Sequence, residues 1–217
     1  MKMEFEQVLN RKGVTLVELM VALVISAVVI GGIYKVFILQ TKTYAVQDQV
    51  MDVQQNTRTA MEVLLRDLRM TGFDDDNGSS LIAIPTPLTV VGDNAITVNY
   101  EYFDRDDSTY KKYTVAYWRD GGNSRVFRQL TVNDGTPGVA EPLLENVDEL
   151  TFTYGIDRQD DGIVDNWVPA AGVGNIKVIA VRVNLAARPD PQYQEAHKIV
   201  TPRALDSIVS MRNLCLR

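Results

Sequence analysis

A chain of 217 residues with 46% hydrophobic content and a formal charge of −6 has room for one good-sized core and an added element. Its acidity argues against a nucleic-acid surface, which would show a basic stripe. The single cysteine, Cys215, excludes an internal disulfide, and a domain of this size can build its core without one.

Residues 1–13 are short and polar, with Lys2, Arg11 and Lys12 set against Glu4 and Glu6. A dense apolar block follows from Val14 to Tyr34, interrupted by Thr15, Glu18, Ser26 and the Gly31-Gly32 pair. As a helix it would reach about 31 Å, close to the roughly 30 Å thickness of a bilayer's hydrocarbon core. A secretory signal has a shorter apolar core followed by a small-residue cleavage site, and no such site follows here. The basic flank favours a cytoplasmic N-terminus and a domain on the far side of the membrane. A carboxylate inside an apolar span is costly, so Glu18 should have a partner and a purpose. A plain signal anchor explains the span but neither Gly13 nor Glu18.

Lys12-Gly13-Val14-Thr15-Leu16-Val17-Glu18-Leu19-Met20-Val21-Ala22-Leu23 resembles the signal of type IV prepilins and of the pseudopilins of type II secretion. The resemblance implies that a prepilin peptidase cuts after Gly13 on the cytoplasmic face and N-methylates the new terminus at Val14. The family usually has Phe there, so Val14 is a departure. It also implies a leader over 1–13, a transmembrane and filament-core helix over 14–39, an amphipathic helix over 40–72 and a β-rich periplasmic domain over 73–217. The physical reading agrees. A small residue at Gly13 lets the peptide bond enter a protease site, and cleavage creates an α-amino cation. The Glu18 carboxylate of one subunit can then neutralise the amine of a neighbour, making one desolvated pair from two intramembrane charges. Many pilins kink this helix with a proline where this chain has Lys35. Here Gly31-Gly32 is the weak spot, at about 1 kcal/mol per glycine relative to alanine.

Beyond Lys35 the composition turns polar while the helical period persists. Val46, Val50, Val53, Thr57, Ala60, Leu64 and Leu68 form one stripe, with Asp48, Asp52, Arg58, Glu62, Arg66, Asp67 and Arg69 mostly off it. Glu62 and Arg66 stand in the favourable i,i+4 order. The stripe should pack against a globular domain, with a coiled-coil dimer as the alternative. Gly72 reads as the C′ residue that ends the helix.

After the turn-rich Asp74–Ser80 loop, strands are predicted over Ala95–Phe103, Tyr110–Trp118, Arg125–Val132, Leu143–Gly155, Ile176–Ala187 and Lys198–Met211. In the first, Ile96, Val98, Tyr100 and Tyr102 share a face. Asp120-Gly121-Gly122-Asn123 marks a hairpin. No helix-length segment separates the strands, which points to an α+β fold with a mainly antiparallel sheet. Tyr100, Tyr102, Tyr117, Trp118, Tyr154 and Trp167 are assigned to core and strand surfaces, with a ligand platform as the alternative.

The run Glu145–Asp157, ending Tyr154-Gly155-Ile156-Asp157, with Asp161-Gly162-Ile163-Val164-Asp165, Val181–Leu185 and Met211-Arg212-Asn213, resembles the PilW family of minor pilins and the related J-type minor pseudopilins. A PilW-type role implies priming of type IV pilus assembly near the tip. Its partners would be other minor pilins, the major pilin, an inner-membrane assembly platform and a tip adhesin. A J-type minor pseudopilin of a type II secretion system is the nearest rival. A membrane-anchored calcium-dependent adhesin or periplasmic enzyme is the rival from another class.

Asp157, Gln159, Asp161, the Ile163 carbonyl and Asp165 follow the spacing of a calcium loop, with Asp160 as a substitute ligand. Gln159 stands where Asp or Asn is preferred, and Val168 occupies the twelfth position, so an acidic turn is the competing reading. No catalytic constellation is expected: His197 is the only histidine, and neither a phosphate loop nor a Cys/His zinc cluster occurs.

Overall fold

The computed structural model describes residues 13–74, 82–192 and 200–215. Most of the leader, the tip of the Asp74–Ser80 loop, His197, the start of the Lys198–Met211 strand and the side chain of Cys215 lie outside them. The chain divides into two compact units, Met1–Gln47 and Asp48–Arg217.

In the first unit, helix α1 (Leu16–Met70, continuing into the second unit) is exposed from Leu16 through Ala45, as are Val14 and Thr15 before it. Its length and composition suffice to cross a membrane. The serine and threonine hydroxyls of this part of α1 are satisfied by their own helix: Ser26 Oγ donates to the Ala22 carbonyl at 2.7 Å, and Thr41 and Thr43 donate to Phe37 and Leu39 at 2.9 Å. Such internal bonds let polar groups sit in lipid without an unmet hydrogen bond. The helix runs unbroken through Gly31 and Gly32, where an added Cβ would meet open space.

In the second unit the stripe on α1 packs within the chain. Thr57, Ala60, Leu64 and Leu68 are buried as the period predicts, and Met61 and Leu65 widen the stripe. That resolves the coiled-coil alternative in favour of intramolecular packing. α1 ends at Met70 and Gly72 takes a positive φ of 70°, as a C′ residue requires. A Cβ there would also lie 2.9 Å from Leu214 Cδ2.

Two antiparallel sheets share the core with α1. The first is a meander of β1 (Leu88–Gly92), β2 (Ala95–Asp104), β3 (Thr109–Asp120), β4 (Arg125–Val132) and β5 (Glu141–Leu144). The second contains β6 (Val147–Asp157), β7 (Asn166–Val168), β8 (Lys177–Ala187) and β9 (Arg203–Ser210), in the order β7-β6-β8-β9. Backbone and side-chain bonds tie the sheets together. Arg119 Nε and Nη2 donate to the Val147 carbonyl at 3.1 and 3.0 Å, and the Phe152 N–H donates to the Asp93 carbonyl at 2.7 Å.

The expected hairpin closes on the Asp120–Arg125 pair, and Asp120 accepts the Gly122 N–H at 2.9 Å. The predicted Leu143–Gly155 strand is instead two strands in different sheets. Asn146 between them has a φ of 56°, a conformation asparagine tolerates better than most residues, and the chain changes sheet there. Strands β1 and β7 have no counterpart in the sequence expectation. The alternation in β2 also fails partway. Ile96 and Val98 are fully buried, but Tyr102 is 46% exposed while Asn99 and Glu101 on the opposite face are buried. The segments leaving α1 and entering β1 run against this stretch: the Gly72 N–H donates to the Asn99 carbonyl, the Glu101 N–H to Phe73, and Asn99 Nδ2 to the Thr86 carbonyl.

Asp67 is the main correction on α1. It is buried, where the helical pattern put it off the stripe. Its Oδ2 accepts the Tyr117 hydroxyl at 2.6 Å and Arg128 Nη2 at 2.9 Å, and Arg128 Nε also lies 3.1 Å from the Tyr117 hydroxyl. Tyr117 and Arg128 face each other across β3 and β4. Arg66 reaches Asp67 at 3.5 Å, in place of the expected Glu62 pairing. Burial and the nearby Asp67 carboxylate push the Tyr117 phenol up, and push Tyr100 up to about 12. Both phenols stay neutral, and that of Tyr117 remains a donor to Asp67.

Candidate functional site

The N-terminal motif has a defined local structure. Thr15 precedes the first helical residue, and its N–H and hydroxyl both donate to Glu18 Oε2 at 3.0 Å. The Glu18 N–H returns a bond to Thr15 Oγ1 at 3.3 Å. This reciprocal arrangement is a capping box, which satisfies donors that a helix start leaves unpaired. The sequence showed Glu18 as an isolated acid, yet the Thr-x-x-Glu spacing already carried the signal of a cap. Gly13 and Val14 precede the helix on exposed backbone, and a Cβ at Gly13 would meet nothing within 4 Å. The motif therefore presents an accessible peptide bond, an exposed and capped helix start, and a carboxylate within one turn of it.

The aspartate loop between β6 and β7 is built differently from the calcium reading. Asp157 is buried, and its carboxylate accepts the N–H groups of Gln159 (3.2 Å), Asp161 (3.3 Å) and Gly162 (2.9 Å). Asp161 turns to the Ile163 N–H at 2.9 Å, and Asp160 pairs with Lys177 at 2.6 Å. Gln159 presents its amide nitrogen to Asp165 at 2.8 Å, while Asp165 also accepts the Arg158 N–H at 2.6 Å. Those two contacts, the Arg158 N–H first, hold the Asp165 carboxyl below its usual range. Among the described residues, no three Asp, Glu, His or Cys side chains come together to hold a metal ion. The spacing supplied oxygens, and the turn supplies backbone donors to them.

The Tyr154-Gly155-Ile156-Asp157 run gains a packing role for each residue. The Tyr154 hydroxyl donates to the Gly92 carbonyl of the first sheet at 3.1 Å, and Ile156 is fully buried. A Cβ on Gly155 would lie 3.1 Å from both Ala180 Cβ and Val164, so glycine lets the loop close on the sheet. Asp157 then nucleates the turn. At the C-terminus, Asn213 Nδ2 donates to the Arg69 and Thr71 carbonyls at 3.3 and 3.2 Å, capping the end of α1. The remaining aromatic residues serve strand surfaces: Tyr100 stacks on Tyr113 and Trp118 on Phe127, each at 5.6 Å, and Arg182 lies 4.7 Å over Trp167.

Comparison with known proteins agrees at both ends of the chain. Residues 9–34 match the prokaryotic N-terminal methylation motif, and residues 112–208 match type IV pilus-assembly protein W, PilW. The second match runs from β3 into β9 and contains the aspartate loop. No curated protein matches in sequence. Among solved structures, a type IV-like pilin from Thermus thermophilus is similar with a TM-score of 0.46 and 13% identity, over 74% of this chain and 96% of that one.

Proposed function

We propose that this chain, a type IV pilus minor pilin of the PilW family, is cut after Gly13, is N-methylated at Val14, and helps prime pilus assembly near the filament tip. One conjunction carries the reading: a methylation motif leads into an exposed apolar helix bearing a single early carboxylate, ahead of a PilW region. A pilin is a structural protein that works by contact with other pilins and the assembly machinery. The finer steps follow from charge and solvation.

Before assembly the apolar helix anchors the chain in the inner membrane, with Arg11 and Lys12 keeping the leader cytoplasmic and the β-rich domain periplasmic. Prepilin peptidase removes the leader, and the new terminus becomes a cation one turn from Glu18. The Thr15 bonds fall on Oε2, which leaves Oε1 to accept the ammonium of a neighbouring subunit. A charged pair in hydrocarbon costs less than two separate charges, so docking favours the register that brings them together. A domain as large as 73–217 suits an end position, where it need not pack along a whole filament.

The test uses full-length chains in piliated cells. Substituting Gly13 with a bulky residue is expected to leave the chain at precursor size, and Glu18→Ala to give a processed chain that fails to enter pili. Both are read by immunoblot of membrane and sheared-pilus fractions. Mature-sized Gly13 variants with normal piliation would refute the reading. Loss of pili with intact protein secretion separates a pilus role from a secretion pseudopilus.

A further inference from the structure

We infer that a groove between α1 and the β5–β6 junction is a docking site for a lysine- or arginine-bearing helix of a neighbouring pilin subunit. This rests on the reading of the chain as an assembling pilin. The groove holds about 500 Å³. One wall is α1, where Asp52, Asn56 and Thr59 form a row at helical spacing, and the other is Pro142–Asn146 with Arg188 and Asp190. Its floor is apolar, from Val53, Ala60, Leu144 and Ala187, and its rim is polar. An apolar centre with a polar rim is the composition of a protein-binding surface.

The rim's charge selects the occupant. It carries the carboxylates of Asp52, Glu145 and Asp190 against one guanidinium, Arg188. Arg188 is already engaged by Asp148, and Glu145 is paired with Arg125 at 2.8 Å. Among the described residues neither Asp52 nor Asp190 has an ion pair, so two carboxylates remain to meet a cation. A free calcium ion would find them on opposite walls with no third donor gathered between them. A helix carrying basic side chains beside aliphatic ones meets both demands, filling the floor and neutralising the rim. This chain's own α1 shows what such a segment looks like: Lys35 and Lys42 lie seven residues apart on one face, bracketing Ile38 and Leu39.

The experiment places a benzophenone side chain at Thr59 of the full-length protein in piliated cells, with Val91 as a control position outside the groove. Illumination should give an adduct from Thr59 to a lysine- or arginine-bearing helix of another pilin, mapped by mass spectrometry. The Asp52→Lys, Asp190→Lys double substitution should lower that yield roughly tenfold, with processing and thermal melting unchanged. The inference is overturned by an adduct that maps elsewhere, by none forming from Thr59, or by an undiminished yield after charge reversal. A parallel Glu18→Ala strain keeps the two readings apart. If it fails to incorporate while charge reversal has no effect, only the groove is refuted; if it incorporates normally, the docking reading itself falls.

Discussion

The two units of this molecule solve the burial problem in opposite ways. Between Val14 and Ala45 every residue is exposed, and the Ser26, Thr41 and Thr43 hydroxyls are bonded to their own helix. Such a segment has no solution in water and needs lipid or other chains to cover it. From Asp48 onward the chain supplies its own partners: α1 buries its stripe against two sheets, and even the buried acid Asp67 finds a cation and a phenol. The first stretch thus depends on cover from outside, while the buried interior of the second carries the domain's stability. Substitutions in the first should change incorporation without moving the domain's unfolding, and substitutions among the buried groups of the second should move the unfolding, whereas its exposed groove rim should behave like the first.

The sharpest way to break this division is at Asp67. Asp67→Ala would leave Arg128 half-buried without its carboxylate and strip Tyr117 of its acceptor. Removing one partner of a buried pair costs about 3 kcal/mol. Chemical denaturation of the purified protein should show that loss, while Glu18→Ala should leave the same curve unchanged. Replacing Asp67 and Arg128 together by Leu and Met should recover part of the loss, because the uncompensated charge is then gone. If Asp67→Ala unfolds at the wild-type denaturant concentration, the network does not hold α1 to the first sheet.

A smaller effect is expected just beyond Asp67, at the C-terminal end of the same helix. Asn213→Ala removes the donor that satisfies the Arg69 and Thr71 carbonyls, a change worth about 1 kcal/mol. Hydrogen exchange should then accelerate in the last turn of α1 and spare the strands. Uniform acceleration across the domain would instead mean that the C-terminal segment supports the whole fold.

Much of this was legible in the sequence, for physical reasons that also explain the failures. The apolar block, the stripe on α1 and Gly72 rest on local periodicity and backbone freedom, which a linear reading sees. Asp67 was misplaced because its partners, Tyr117 and Arg128, come from distant strands, and a helical pattern cannot show them. β1 was missed because Pro85 and Pro87 precede a short stretch, and β7 because three residues give no period. The Leu143–Gly155 run has continuous strand character, and only the left-handed backbone at Asn146 reveals the change of sheet. The capping box is carried by the Thr-x-x-Glu spacing, but a carboxylate inside an apolar block reads first as a membrane charge.

The smallest expected effect, and the finest test of the division, lies in the aspartate loop. The Asp165 carboxyl is held below its usual range by the Arg158 N–H and the Gln159 amide. Its folded pKa is thus below the unfolded value of about 3.9. A carboxyl shifted in that direction contributes stability above the unfolded pKa and loses it as pH falls through the folded one. Asp165→Asn should therefore melt slightly lower at neutral pH and show a shallower decline below about pH 4, with pilus incorporation unchanged. Excess calcium at neutral pH should leave the wild-type melting temperature where it is, because N–H donors already occupy the Asp157 and Asp165 oxygens. A saturable rise with calcium, lost in Asp165→Asn, would mean that the cation displaces those donors and gathers the ligands that the spacing first suggested.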